Sequence, residues 1–247
     1  MRRPYALFTG LSPVAFAGVA RQGIFGENAG MNGITRWLLC AAIAAGISYF
    51  FVRHNVPVPW TTVWKGAGVG LLALWCATQA RSVDGWLVTA VMAFGALGDV
   101  LLETAGMTIG AVAFVVGHVL AMLLYFRNWR PRLTLSQRLL AALVVPLSVF
   151  IAATLVPAKD AVSIAIYTVF VAGMAATGWT SRFPRYRVGI GAMMFLISDL
   201  LIFAKMGPLA ASPLPSLLIW PLYFAGQVLI ASGVVRTLRT ADSGSGA

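Results

Sequence analysis

"GWLVTAVMAFGALGDVLLE", Gly85 to Glu103, decides the class of this chain. A helix of about 20 apolar residues covers the roughly 30 Å of hydrocarbon in a bilayer, and this run has that length and composition. Yet it carries Asp99 and Glu103 one helical turn apart, in a chain of 247 residues with only seven acidic side chains. Placing charge inside a membrane span costs roughly 2.5–3.5 kcal/mol per group even on the lenient insertion scale, so a reason for these two is required.

The rest of the chain resembles this stretch. Apolar residues make up 60% of it and charged residues 10%, and the mean hydropathy is +0.86. Soluble domains carry roughly a quarter charged residues, which places the chain among membrane proteins. Eight runs are long enough to span, over 34–52, 60–79, 85–103, 107–126, 138–156, 160–180, 187–206 and 216–236. The expected fold is an all-α polytopic membrane protein with eight transmembrane helices. It divides into an N-terminal interfacial or re-entrant segment (1–33), a membrane domain (34–237) and a disordered tail (238–247).

Loop charge gives the orientation. Arginines cluster before and at the start of span 1 (Arg2, Arg3, Arg21, Arg36) and after span 4 (Arg127, Arg130, Arg132, Arg138). Others follow span 2 (Arg81), span 6 (Arg182, Arg185, Arg187) and span 8 (Arg236, Arg239). All of these loops fall on one side, and the other side has only Arg53, Lys159 and Lys205. The positive-inside rule then puts both termini in the cytoplasm. The net charge of +11 is thereby a topology signal, and with no nucleic-acid-binding module a nucleic-acid partner is not expected. Tyr5–Ala20 looks like a signal peptide, but cleavage or a ninth span there would put the arginines on the wrong side, hence the interfacial reading. Cys40 and Cys76 fit no zinc or redox spacing, and two histidines cannot build a multi-histidine site, so neither metal nor cofactor is expected.

Helical rise sets the depth of the polar groups. At 1.5 Å per residue, Lys65 lies about 7 Å, Asp99 about 6 Å and Asp199 about 10 Å below the arginine-poor surface. Tyr223 and Gln227 enter the same slab on span 8, and His118 lies near mid-membrane on span 4. Lys65 has a stem long enough to snorkel, Glu103 reads equally as an interfacial charge, His118 as a core residue, and Tyr223 and Gln227 as interhelical glue. An aspartate has no such stem, so Asp99 and Asp199 demand partners or a function. "GDVLL" (98–102) and "SDLLI" (198–202) lie 100 residues apart on helices of like direction, the pattern of a four-plus-four helix repeat.

Two carboxyls in a partly dry pocket do not ionise alike, because desolvation and mutual repulsion keep one of them protonated. Such a pair can donate a proton and stabilise the resulting cation, as glycosidases do at an acetal carbon. A pocket inside the membrane makes a lipid the natural substrate, and no G-x-S-x-G elbow points to ester cleavage. A proton-coupled transporter or flippase would use the same residue types, and a scaffold would not need them.

The ordered set of Lys65, "FGALGDVLLE" (94–103), "GAVAFVVGHVL" (110–120), "FLISDLLIF" (195–203) and "YFAGQVLI" (223–230) resembles the lysoplasmalogenases of the YhhN-like family, which are eight-helix membrane hydrolases. The resemblance implies hydrolysis of the vinyl ether bond of lysoplasmalogens, giving a fatty aldehyde and a glycerophospho-alcohol. It implies Asp99 and Asp199 as the acid–base pair, the division of roles open and the deeper Asp199 the better acid. Around them Lys65 would hold the phosphate, and Glu103, with Trp64 and Tyr223 as aromatic walls, would receive the head-group ammonium. Ser198, His118 and Gln227 complete the substrate-contacting set. The implied partners are a lysophospholipid substrate and a bilayer, here a bacterial inner membrane, with the oligomeric state open.

Overall fold

The computed structural model describes residues 33–244, with side chains as far as Ala241. Backbone contacts divide the chain into residues 1–37 and 38–247. Of the first unit only 33–37, the opening of the first helix, is described, and the bundle and its site belong to the second. The segment 1–33 expected to be interfacial lies almost wholly outside the described residues.

Among the described residues eight long helices succeed one another: α1 Gly33–Val52, α2 Val58–Ala77, α3 Val83–Thr104, α4 Met107–Arg127, α5 Leu135–Leu155, α6 Ala158–Thr180, α7 Ile190–Met206 and α8 Leu214–Gly244. A π-helical turn, Arg185–Gly189, leads into α7. Among the described residues there is no strand, only an isolated bridge between Trp129 and Ser181. Connections this short make neighbours antiparallel. The tightest, of two residues each, are Ala105–Gly106 between α3 and α4 and Val156–Pro157 between α5 and α6; in the first Gly106 has φ +90°, a conformation strained for any residue with a Cβ.

Seven of these helices are long and apolar enough to cross a membrane. The exception among the eight expected spans is α2, whose 20 residues include Lys65, Thr61, Thr62, three tryptophans and three glycines. A second departure is at the C-terminus. The region expected to be a disordered tail from residue 238 continues α8 to Gly244. Arg236, Leu238 and Arg239 are sound helix formers, and the Thr237 and Thr240 hydroxyls turn back onto carbonyls of the preceding turn, Gly233 and Thr237 respectively. Pro146 and Pro221 sit inside α5 and α8 without ending either helix.

The helices pack in sequence, α2 on α3, α3 on α4, α5 on α6 and α7 on α8, with α4 against α6 and α8 against α2 and α3. α7 and α8 are the most enclosed of the apolar helices and α5 the most exposed, which leaves α5 peripheral. The arginine-rich end is tied by Arg127 Nε and Asn128 Nδ2, which both donate to Asp84 at 2.7 Å. At the opposite end α1 meets α8, where Arg53 donates to the Ser216 carbonyl. Trp220 Nε1 there donates to the Gly46 carbonyl at 2.7 Å, and Phe224 stacks on Trp220 over the bare Cα of Gly46.

Candidate functional site

Asp99 is a buried side chain of α3 and Asp199 a buried side chain of α7, exposed by only 2% and 5%. Each is held by one tyrosine. Tyr223 of α8 donates its hydroxyl to Asp99 Oδ2 at 2.8 Å, and Tyr167 of α6 donates to Asp199 Oδ2 at 2.7 Å. Among the described residues no hydrogen bond reaches Oδ1 of either carboxyl, so each keeps one oxygen available.

Behind each tyrosine stands a second polar group. Gln227, one turn along α8, donates Nε2 to the Tyr223 hydroxyl at 3.4 Å. His118 Nε2 lies 3.3 Å from the Tyr167 hydroxyl. A tyrosine has one proton to give, so with Tyr167 committed to Asp199 the His118 contact requires the proton on Nε2. The two chains, Asp99–Tyr223–Gln227 and Asp199–Tyr167–His118, have the same form but draw their tyrosines from α8 and α6, which are not equivalent positions in a four-plus-four repeat.

Local sequence explains the close fit. Gly98, beside Asp99, leaves room for the Phe114 ring: a Cβ there would lie 2.7 Å from it. Phe114 meets Phe195 and Tyr223 edge-on at 6.0 Å, and Phe195 meets Tyr223 and His118 at 5.0 Å. This aromatic layer packs in the favoured edge-to-face geometry. It fixes the tyrosines and separates His118 and Gln227 from the space beyond.

That space is a cavity of about 530 Å³. Asp99, Asp199, Ser198, Tyr167, Tyr223, Lys65 and Trp220 line it, with aliphatic residues of α4, α6 and α7 making up most of the remaining wall. Ser198 is fully buried and its hydroxyl has no partner. Such a group is costly unless something in the cavity bonds it. Lys65 reaches the rim at the arginine-poor end and pairs with Glu103 at 2.9 Å. Asp160 and Ser163, at the start of α6, line the same region.

The cavity thus brings together Asp99, Asp199, Lys65 and Tyr223, which the depth count put in one slab, and Ser198, which the resemblance implied. Four other expected contacts stand differently. Trp64 turns away and donates Nε1 to Ser48 Oγ at 3.0 Å, so the tryptophan at the cavity is Trp220. His118 and Gln227 sit behind the tyrosines beside a second void of about 10 Å³ and do not line the main cavity. Glu103 touches the site through Lys65 only. Sequence reasoning passed over Tyr167 and Asp160. The signal for Tyr167 was a lone tyrosine within an apolar span, "IAIYTVF" (164–170). Among the described residues no cluster of His, Cys, Asp and Glu could hold a metal ion.

A buried carboxyl with one fixed and one available oxygen can pass a proton to a reacting atom. A second such carboxyl on the same apolar space can stabilise the positive charge so created. No curated protein and no solved structure gives a significant match to the chain. A family model does match, over residues 60–234, from the start of α2 into α8 and across every residue that lines the cavity: this chain belongs to the YhhN family.

Proposed function

We propose that this protein is a membrane-embedded hydrolase of the vinyl ether bond of lysoplasmalogens, with Asp99 and Asp199 as its acid–base pair. The observation that carries the reading is the pair of tyrosine-held carboxyls on one apolar cavity whose rim carries Lys65. Family membership supports it, as does a cavity size typical of small-ligand sites.

The chemistry rests on the two carboxyls. Asp199 gives its proton to the outer carbon of the C=C–O unit, whose π pair forms the new C–H bond, and the oxocarbenium ion is stabilised by ionised Asp99. Water adds to the cationic carbon and its proton passes to Asp99. The unpartnered Ser198 hydroxyl can orient that water. In the hemiacetal the C–O bond to glycerol breaks as Asp99 protonates the departing oxygen and the hemiacetal hydroxyl returns a proton to Asp199. An aldehyde and a glycerophospho-alcohol leave, and both carboxyls are as they began.

At the rim, a zwitterionic head group satisfies the Lys65–Glu103 pair by exchange: its phosphate takes Lys65, and its ammonium takes Glu103 or Asp160.

The purified protein in lipid vesicles should release aldehyde from lysoplasmalogen. Asp99→Asn and Asp199→Asn should each lose about 10²–10⁴-fold, the usual contribution of a positioned acid or base. Wild-type-like rates in either variant would remove that aspartate from the mechanism. Movement of intact lysolipid between leaflets with no aldehyde formed would replace the hydrolase by a flippase.

A further inference from the structure

α4 and α6 pack closely over only part of their length. In the arginine-rich half the fit depends on small residues: the Met122 side chain lies against Gly173 and the Tyr125 ring against Gly178. His118 and Tyr167 close that packed stretch. Towards the arginine-poor end the outer turns of α6 turn to other neighbours. Ile164 is buried with Ala152 and Val156 at the end of α5 and Phe203 of α7, and Ala161 packs on the same cluster.

The cavity occupies the gap left between the two helices. On α4 its lining there is Thr108, Val112 and Val115, and on α6 Ser163, Ile166 and Phe170, each set at the spacing of one helical face. Val112 and Ile166 are also each 58% exposed. They belong at once to the cavity wall and to the outer surface of the bundle. That surface is apolar around them, with Ile109 and Val119 on α4 and Val162 and Val169 on α6 all exposed, as expected of a belt facing hydrocarbon.

We propose that the gap between α4 and α6 is a side door, through which the hydrocarbon chain of a single-chain phospholipid enters the cavity from the surrounding leaflet. Its head group stays at the Lys65 rim. The occupant is indicated by the gradation along the opening: charged and hydroxyl side chains (Lys65, Asp160, Ser163) nearer the membrane surface give way to purely apolar ones (Val115, Ile166, Phe170) deeper in. A zwitterionic head and one chain have that profile. This inference rests on the lysolipid reading of the site.

The test uses a non-cleavable alkyl-ether lysophosphocholine with one diazirine near the ether oxygen, at the level of Phe203, and one at the end of its chain, at the level of Phe170, photolysed with the full-length protein in phosphatidylcholine vesicles. Phe203 lines the cavity and is only 5% exposed, so an adduct there reports a chain inside and not one in the surrounding lipid. Adducts on Phe203 and Phe170 are expected in the wild type. They should fall at least tenfold in Val112→Trp/Ile166→Trp, together with aldehyde release from lysoplasmalogen. Undiminished Phe203 labelling in a folded double variant overturns the door. Interior labelling without any aldehyde release leaves the door standing and removes the hydrolase reading. Absence of interior labelling in a wild type that does release aldehyde removes the door alone.

Discussion

Tyr167→Phe removes one oxygen and little else. The ring remains in its contacts with His118 and Phe203, at 5.8 and 6.0 Å, so the fold should keep its packing. What disappears is the 2.7 Å bond to Asp199 and the 3.3 Å contact to His118. As Asp199 gives up its proton it becomes a carboxylate, and a hydrogen bond to a charged partner contributes about 1.5–3 kcal/mol. If that bond aligns Asp199 in the transition state and does not merely bind substrate, the loss falls on kcat, a factor of about 10 to 150 at 1.36 kcal/mol per decade. The loss should be smaller than that of Asp199→Asn, because the carboxyl itself is still present. Aldehyde release by the purified variant in vesicles, measured over a range of lysoplasmalogen concentration, separates kcat from KM. A thermal unfolding curve in detergent establishes that the variant is folded. A folded Tyr167→Phe protein within twofold of wild-type kcat would refute the positioning argument, and with it the claim that the tyrosine–aspartate geometry is catalytic and not only structural.

The same geometry fixes other outcomes. Lys65→Met should raise KM for lysolipid by about tenfold or more with kcat little changed, since one charge-assisted contact to phosphate is lost and the partner left behind, Glu103, is 41% exposed and can be solvated; steady-state kinetics decide it, and an effect confined to kcat would contradict a head-group role. Tyr223→Phe should resemble Tyr167→Phe in kcat, and equal wild-type activity would leave Asp99 without need of its tyrosine. Gly46→Ala should destabilise the bundle by about 1–3 kcal/mol, the usual cost of overpacking, because a Cβ there meets the Phe224 ring pinned beneath Trp220; an unchanged melting temperature in detergent would show that the ring yields.

Position along the helices was readable from sequence, and angles around them were not. Apart from the end of α8, the apolar runs placed each helix within a few residues of its observed limits, because charged or proline-bearing loops interrupt a nearly continuous apolar chain. Counting residues from the helix ends then brought Lys65, Asp99 and Asp199 to similar depth on three different helices. Azimuth depends on packing between helices distant in the chain. Trp64 is adjacent to Lys65 yet turns to Ser48, and Gln227 is one turn from Tyr223 yet lies behind it. Tyr167 illustrates the limit best: its partner is 32 residues away on α7, and nothing in its own span announces a carboxylate. A four-plus-four repeat would explain why two Asp-bearing helices run in like direction, but not why one tyrosine comes from α6 and the other from α8. At the C-terminus, glycine and serine in the last residues outweighed the helix formers before them, which is why α8 outruns its expected end.

The uneven contact between α4 and α6 also bears on the fate of the products. Hydrolysis would divide one amphiphile into two molecules with opposite solvent preferences. The aldehyde would have an oily exit beside Val112 and Ile166, while the phosphoalcohol would face the charged edge near Lys65 and Asp160. Neither fragment would then compete well with a fresh lysolipid, since each can satisfy only half of the enclosure. The compound expected to inhibit this protein most is therefore an uncleavable ether of the whole lipid, with both products far weaker.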